Sequence, residues 1–286
     1  YCVIPSVRGN YRSIPMDSLV REAKKLVENG AKELILVAQE TTVYGIDLYG
    51  EKMLPELLRK LFSIEGLVWI RLLYCYPEEI TEELVQTIKT EKKICHYLDL
   101  PIQHCNDDIL KRMGRKTTQA DLREKISMLR KEIPDIALRT TLISGFPGET
   151  NENHEECVDF VANMKFERLG VFPYSPEEGT PAAGYDRQLP DEIKQEWADE
   201  IMQTEQDVIF AQNEEMIGRK LSVIVDGYLP EDGVYVGRTY RDAPEIDGCL
   251  FFEAPYEIIS GTILPVLVTD ANGYDLIGEI LPEEDD

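Results

Sequence analysis

The residues of this chain that could do chemistry fall into two groups: soft-metal ligands, and polar side chains gathered just after short apolar runs. Cys2 opens the first group, in Tyr1-Cys2-Val3-Ile4-Pro5-Ser6-Val7-Arg8-Gly9-Asn10-Tyr11-Arg12. A thiolate there could ligate an iron–sulfur cluster, although one cysteine by itself is more often an ordinary thiol. Cys95, His96, His104 and Cys105 form a mixed sulfur and imidazole set of the kind zinc takes. The run Tyr97-Leu98-Asp99-Leu100 between them reads as a buried strand and would hold the two ends about a strand length apart. No zinc site is expected there.

The second group comprises Gln39-Glu40-Thr41-Thr42, Tyr74-Cys75-Tyr76-Pro77, Pro101-Ile102-Gln103-His104, the stretch from Ser144 to Thr150, and the stretch from Ser175 to Thr180. Each follows an apolar run of strand length. Glycine and proline belong in any such turn, so one segment alone would mean little. Five in register point to one shared ligand site at the C-terminal ends of parallel strands.

The elements that must position these segments are legible from periodicity. Leu19, Val20, Ala23, Leu26 and Val27 share one face of a helix from Pro15 to Asn29, which Gly30 stops. Further helices are expected over 54–63, 81–89, 119–131 and 152–164. Strands are expected over 33–38, 67–73, 97–100, 136–143 and 168–174. Continuous apolar strands spaced by amphipathic helices argue for parallel β/α units buried on both faces. A complete eight-fold barrel needs about 250 residues, and this pattern stops near residue 175, so an open, partial parallel β/α barrel fits better. One long helix follows from Pro190 to Ile217. Short strands then begin near Leu221, Val234, Cys249, Leu264 and Asp275, with Gly, Asp and Pro between them, which predicts a small closed all-β barrel. The expected fold class is therefore α/β, with residues 1–217 forming the partial barrel and its long helix, and residues 218–286 a five-stranded β-barrel. The last residues, Glu283-Glu284-Asp285-Asp286, read as a solvated acidic tail.

Composition narrows the class. The chain has 286 residues, 43% of them hydrophobic and 29% charged, as in a globular domain with a substantial core. No apolar run reaches the ~18 residues that cross a bilayer, so no membrane partner is expected. The six cysteines are scattered without a disulfide framework, consistent with reduced thiols and a cytoplasmic protein. The net charge of −24 argues against direct capture of nucleic acid and suits a basic protein partner.

Five motifs carry a resemblance to a known family: Cys2-x-Ile4-Pro5-x-x-Arg8-Gly9-x-x-Arg12-Ser13; Ala38-Gln39-Glu40-Thr41-Thr42-x-Tyr44-Gly45; Leu100-Pro101-Ile102-Gln103-His104; the run from Leu142 to Thr150; and Arg238-Thr239-Tyr240-Arg241-Asp242-Ala243-Pro244. Taken in order they resemble the radical S-adenosylmethionine (SAM) methylthiotransferases, and the terminal β-barrel resembles a TRAM domain. The resemblance implies a 4Fe-4S cluster held by three cysteines, with one iron left open for SAM. One electron from that cluster would cleave SAM to a 5′-deoxyadenosyl radical able to take hydrogen from an unactivated carbon. It also implies a second 4Fe-4S cluster, in an N-terminal domain outside this sequence, as the source of sulfur. Cys2 matches the third cluster ligand. The other two would lie upstream of Tyr1, together with a sixth strand, so this polypeptide by itself is expected to be inactive. Gln39, Glu40 and Thr41 match the place where the family holds the methionine part of SAM. Ile143, Ser144 and Gly145 match the strand beside the adenine, with Phe172 and Tyr174 at the last strand edge near it. Arg71 and Gln103 are polar groups at strand ends that could meet the ribose or carboxylate, a salt bridge being the alternative for Arg71.

Within the family, one branch modifies an aspartate β-carbon of a basic small-subunit ribosomal protein and another modifies tRNA adenosine. From Arg219 onward four basic residues stand against fifteen acidic ones, a net of −11. That surface would repel phosphate and attract a basic protein. The protein-modifying branch is therefore expected, with an electron donor such as a flavodoxin or ferredoxin, and a monomeric state. The tRNA branch would need a basic groove elsewhere, built from Arg8, Arg12, Lys111, Arg112, Arg115 and Lys116. A third reading is a ribosome-associated binding module without catalysis.

Overall fold

The computed structural model describes residues 2–281; the acidic residues Glu283 to Asp286 lie outside it. Through residue 173 helices and strands alternate: α1 (Ile4–Arg8), α2 (Met16–Glu28), β1 (Glu33–Leu36), α3 (Ile46–Tyr49), α4 (Leu54–Phe62), β2 (Trp69–Leu72), α5 (Glu82–Thr90), β3 (Ile94–Gln103), α6 (Asp107–Arg112), α7 (Gln119–Glu132), β4 (Ala137–Ser144), α8 (Asn151–Met164) and β5 (Arg168–Pro173). The five strands form one all-parallel sheet in the order β1-β2-β3-β4-β5, the open partial barrel that the apolar runs predict.

Local chemistry sets the helix starts. Thr81 caps α5 by accepting from the Leu84 amide, and Thr118 with Asp121 and Thr150 with Asn153 close reciprocal capping boxes on α7 and α8. Alternation along the strands then divides the sheet into two faces. Leu34, Ile70, Leu72, Leu98, Leu100, Leu138 and Leu142 share one core with Leu57, Leu58, Leu84, Ile88, Leu122, Ile126 and Phe160 of the helices. The other face carries Trp69, Tyr97 and Ala137, which pack on Ile224 and Ala243 from the C-terminal half.

Several elements differ from expectation. A short helix, α1, occupies the stretch read as a loop after Cys2. β3 runs from Ile94 to Gln103 rather than from Tyr97 to Leu100, with a register irregularity between Leu100 and Gln103 against β4. Its length separates Cys95 and His96 from His104 and Cys105, as the strand reading required. The long helix α9 (Asp191–Glu214) ends three residues before Ile217, and turns then lead to Gly218.

The second unit is a closed barrel of β6 (Lys220–Leu229), β7 (Val234–Arg238), β8 (Leu250–Glu253), β9 (Ile263–Asn272) and β10 (Asp275–Ile280), in the order β10-β8-β7-β6-β9. Its own core is formed by Val223, Val225, Leu250, Phe252, Val266, Val268 and Leu276.

The two units meet through buried charge. Arg71 is fully buried and donates from Nε to Glu33 Oε1 at 2.8 Å, from Nη1 to the Tyr240 carbonyl at 2.6 Å and from Nη2 to the Thr239 carbonyl at 3.2 Å. Arg238 donates to the other oxygen of Glu33 at 2.9 Å and to Asp226. Arg168 pairs with Asp242, which also accepts from the Thr239 hydroxyl. Burying so many charges is tolerated because each has an ionic or hydrogen-bonding partner. Arg71 is therefore corrected from a ribose or carboxylate contact to an anchor between the two units. Its side chain reaches back toward Glu33, at the start of β1, and its donors are spent on the β7–β8 connection.

Candidate active site

The C-terminal edge of the sheet gathers the polar segments. From β1, the loop at Gln39 to Thr42 turns over the end of β2. The Thr41 amide donates to the Tyr74 carbonyl at 2.9 Å and the Thr41 hydroxyl to the Leu73 carbonyl at 2.6 Å. Gln39 is exposed at this edge, whereas Glu40 and Thr41 are buried. The Glu40 carboxylate accepts from the Thr42 amide at 2.8 Å, from the Thr42 hydroxyl, and from the Tyr76 amide at 3.0 Å. Glu40 thus stitches the first two loops together. Burial raises its pKa from 4.5 to about 7, partly opposed by the Thr42 and Tyr76 bonds.

Tyr74 stands in left-handed backbone conformation at φ 56°, as does Gln103 at φ 71°. Two non-glycine residues in this region at successive strand ends are strained positions held by their surroundings. For Tyr74 the holder is Asp99, whose carboxylate accepts the Tyr74 amide at 3.1 Å and whose carbonyl accepts the Cys75 amide at 2.9 Å. Gln103 is half-buried, its side chain 3.5 Å from the Pro101 carbonyl. Next to it His104 accepts the Asn106 amide at Nδ1, so its proton sits on Nε2, which is directed at Glu149 Oε1 at 3.1 Å. The second oxygen of Glu149 accepts the Phe146 amide at 2.8 Å, tying the loop after β3 to the loop after β4.

At the end of β4, Ile143 is half-buried, and Ser144 is fully buried with its hydroxyl donated to the Lys194 carbonyl of α9 at 2.9 Å. Gly145 follows in left-handed conformation at φ 70°, so close to α9 that a Cβ would lie 2.3 Å from Lys194 Cγ. Phe172 is 59% exposed at the edge of β5, whereas Tyr174 is buried with its ring edge-on to Phe146, 5.0 Å between centroids. Ser144, Gly145 and Tyr174 therefore build the wall behind the edge, while Gln39, Tyr74, Ile143 and Phe172 face its open side or border it.

Cys2 is exposed; Cys75, Cys95, Cys105 and Cys157 are buried and Cys249 is half-buried in the C-terminal unit. Burial pushes the Tyr76 phenol upward; Arg115 opposes this, and Glu40 and the Cys2 thiol add to it. The Arg115 guanidinium lies 4.4 Å from the centre of the Tyr76 ring. The donor chemistry of Cys2 suits one ligand position of an iron–sulfur cluster. Among the described residues no second exposed thiol stands beside it.

Two other metal sets do not survive inspection. Cys95 is buried and His96 pairs with Asp135 at 2.7 Å, far along β3 from His104 and Cys105. His104, Cys105 and Cys157 do bring their donor atoms within 4.8 Å of one another, but both His104 nitrogens are already engaged and the thiols are sealed in the core.

The sequence reading missed Asp99 and Arg139. Arg139 Nη1 donates to Asp99 Oδ1 at 2.8 Å on the concave face directly beneath the strand ends. The signal was a charged residue in each of two runs read as continuously apolar.

Residues 1–161 match the sequence profile of the Radical SAM superfamily, and residues 217–281 that of the TRAM domain. The chain belongs to the radical SAM superfamily. It is 60% identical over 97% of its length to the ribosomal protein uS12 methylthiotransferase RimO of Lachnoclostridium phytofermentans, covering 63% of that protein. Proteins of the same name from Clostridium botulinum and Carboxydothermus hydrogenoformans are 50% and 48% identical over 99% and 98% of the chain, which covers 63% and 64% of them. The chain thus spans less than two thirds of these curated relatives. Among solved structures, methylornithine synthase (PylB) superposes with a TM-score of 0.47 at 14% identity, covering 68% of this chain and 54% of that one. Among the described residues no helix is long and apolar enough to cross a membrane.

Two buried carboxyls of the N-terminal unit, Glu40 and Glu205, have a testable pH signature. Glu205 of α9 is buried, donated to by the Tyr274 hydroxyl at 2.6 Å, and burial raises its pKa from 4.5 to about 7, like that of Glu40. Between those values the folded state holds protons that the unfolded state has released, so stability falls as pH rises through the window. Each group contributes up to roughly 3 kcal/mol of that fall. Urea unfolding at closely spaced pH values should show the slope, and Glu40→Gln with Glu205→Gln should flatten it. An unchanged slope in the double variant would contradict the assignment.

Proposed function

We propose that this chain forms the catalytic radical SAM and TRAM portion of a methylthiotransferase acting on the β-carbon of an aspartate in a basic small-subunit ribosomal protein, uS12. The observation that carries the reading is collinear identity of 60% across 97% of the chain with a protein of that name. The charge of the C-terminal unit supports it independently: residues 219–286 carry four basic and fifteen acidic side chains, and because the side chains of Arg238, Arg241, Asp242 and Asp247 are buried the excess left for a basic protein partner is still acidic. The tRNA alternative finds less support. Of the basic residues available for a phosphate groove, Arg112 is committed to the Pro147 carbonyl and Asp186, and Arg115 to the Pro101 carbonyl and the Tyr76 ring.

When bound, a reduced 4Fe-4S cluster and SAM supply one-electron chemistry that can remove hydrogen from an unactivated carbon. Cys2 would provide one thiolate to that cluster. The loop at Gln39 to Thr41 would hold the methionine part of SAM, with Gln39 at the open edge and Glu40 and Thr41 bracing the loop from beneath. Ile143, with Phe172 opposite it in the β4–β5 register, would give the nucleoside an apolar wall and limit water. Ser144, Gly145 and Tyr174 would hold that wall in place from behind. Gln103, at the end of β3, remains available to a polar group of the cofactor. The reading also includes an electron donor of the flavodoxin or ferredoxin type, a second 4Fe-4S cluster held outside these residues as the sulfur source, and a monomer working in the cytoplasm.

The test is a competition in one anaerobic tube containing the reconstituted full-length protein, SAM, reductant, uS12 and unmodified tRNA, followed by mass spectrometry. Methylthio mass on an aspartate peptide of uS12 is the expected result. Mass on tRNA adenosine instead would overturn the substrate assignment, and mass on neither, with SAM cleaved, would leave only the cofactor chemistry.

A further inference from the structure

The concave face of the sheet holds a chain of buried contacts that begins in the C-terminal barrel and ends at the strand-end loops. Asp247, in the β7–β8 connection, has its side chain almost fully buried. Its Oδ2 accepts from the Tyr97 hydroxyl at 2.7 Å and from the Ala243 amide at 2.8 Å. Its Oδ1 lies 3.5 Å from Nε of Arg139. Arg139 in turn donates from Nη1 to Asp99 Oδ1 at 2.8 Å. The second oxygen of Asp99 accepts the Tyr74 amide, and the Tyr74 carbonyl accepts the Thr41 amide. One arginine between two buried carboxylates thus connects a loop of one unit to the strained turn of the other.

The physical consequence follows from burial and strain. Tyr74 is a non-glycine residue at φ 56° and is 46% exposed, so little packing over its side chain keeps it there. Such a conformation persists only where the surroundings over-determine it. On the amide side of Tyr74 the restraint is the Asp99 carboxylate, whose other oxygen is held by Arg139. Among the described residues, Arg139 pairs with the carboxylates of Asp99 and Asp247 and with no other acid. Were Asp247 neutral or displaced, Arg139 would lose one of its two poles and the Asp99 carboxylate its fixed position.

We propose that Asp247 and Arg139 are positioning residues for the cofactor edge: the C-terminal barrel, through Asp247–Arg139–Asp99, sets the Tyr74 turn and with it the Thr41 loop. The link to cofactor binding rests on the reading of that edge given above; the mechanical link does not. The barrel then has a part in the reaction beyond docking a partner, because seating it on the sheet completes the edge at which SAM would be held. The relay also makes the two units interdependent in a specific direction, from a loop of the barrel to two loops more than 170 residues earlier in the sequence.

The experiment is hydrogen–deuterium exchange on the full-length protein, wild type against Asp247→Asn, read in the peptides spanning 39–42 and 72–76. Exchange in both should rise about tenfold, with peptides in α4, α7 and β1 unchanged. A rise confined to 239–247 and 95–98, with 72–76 within twofold of wild type, would overturn the proposal. If Asp247→Asn raises exchange throughout and so reports unfolding, Arg139→Lys decides. It keeps the charge but not the two-sided reach, and the same local rise at 72–76 is expected, its absence being a refutation. SAM affinity of the cluster-loaded protein, measured by equilibrium dialysis, separates the two readings. A rise in exchange with a severalfold loss of affinity supports both, whereas a rise in exchange with unchanged affinity supports the relay and removes the cofactor assignment of the edge.

Discussion

Arg71→Ala is expected to lower the stability of the protein by about 3–5 kcal/mol, the range for breaking a buried ionic group by removing one partner. The side chain is completely buried, and its three donor nitrogens serve Glu33, the Tyr240 carbonyl and the Thr239 carbonyl. Its guanidinium also lies 4.7 Å from the centre of the Tyr97 ring. Alanine would leave two carbonyls of the β7–β8 connection without donors and a cavity between the sheet and the barrel. Glu33 would keep Arg238 as a partner, so the loss falls mainly on the seating of the barrel. The measurement is denaturant unfolding followed separately by Trp69, which borders this interface, and by exchange in the barrel strands. The two probes should coincide in wild type and separate in the variant as the units uncouple. A loss below about 1 kcal/mol, as for an exposed ion pair, would show that water reaches the interface and that the anchor is not what joins the units.

Gly145→Ala is the second large effect. The position has φ 70°, and an added Cβ would meet Lys194 at 2.3 Å from Cγ and 3.1 Å from Cα. Lys194 cannot swing away freely, because it is buried, bonded to Asp191 at 2.8 Å, and its carbonyl accepts the Ser144 hydroxyl. The start of α9 must therefore shift or the loop after β4 must unwind. Strain in the left-handed region together with overpacking predicts a loss of about 2–5 kcal/mol and a fall of at least about tenfold in SAM affinity, since 1.4 kcal/mol of displaced binding geometry suffices for that. Gly114→Ala supplies the comparison. It has φ 78° with nothing within 4 Å of the new atom, so it should cost only about 1 kcal/mol and leave SAM binding intact. Thermal unfolding and equilibrium dialysis of both variants read the difference. Equal losses would mean that backbone conformation alone, and not the contact with α9, makes Gly145 necessary.

Much of this molecule was legible before its structure. The parallel sheet followed from short apolar runs such as Leu34 to Leu36 and Leu67 to Ile70, set between amphipathic helices. The terminal barrel followed from close-spaced strands with turn residues between them. The strand-end segments were recognisable because a turn after a parallel strand needs glycine or proline while a binding site needs polar groups, and here both occur together. These are local signals: periodicity, caps and turns depend on residues a few positions apart.

Which polar residue does what was decided elsewhere. Arg71, Asp99 and Arg139 are indistinguishable by local pattern, each a charge on the same alternating face of a strand. Yet Arg71 is consumed by carbonyls 168 and 169 positions away in the chain, while Asp99 and Arg139 brace the turn at Tyr74. Glu40 reads as a ligand-facing acid from its motif but is turned inward onto Thr42 and Tyr76, and Ser144 onto Lys194. The sequence by itself determined the order of elements, the faces they bury and the edge where the strand ends collect, because those depend on near neighbours and on the transfer of apolar surface out of water. Only the tertiary structure decided the partners of each buried charge, since desolvated ions are stable only beside the donors and acceptors that distant segments bring to them.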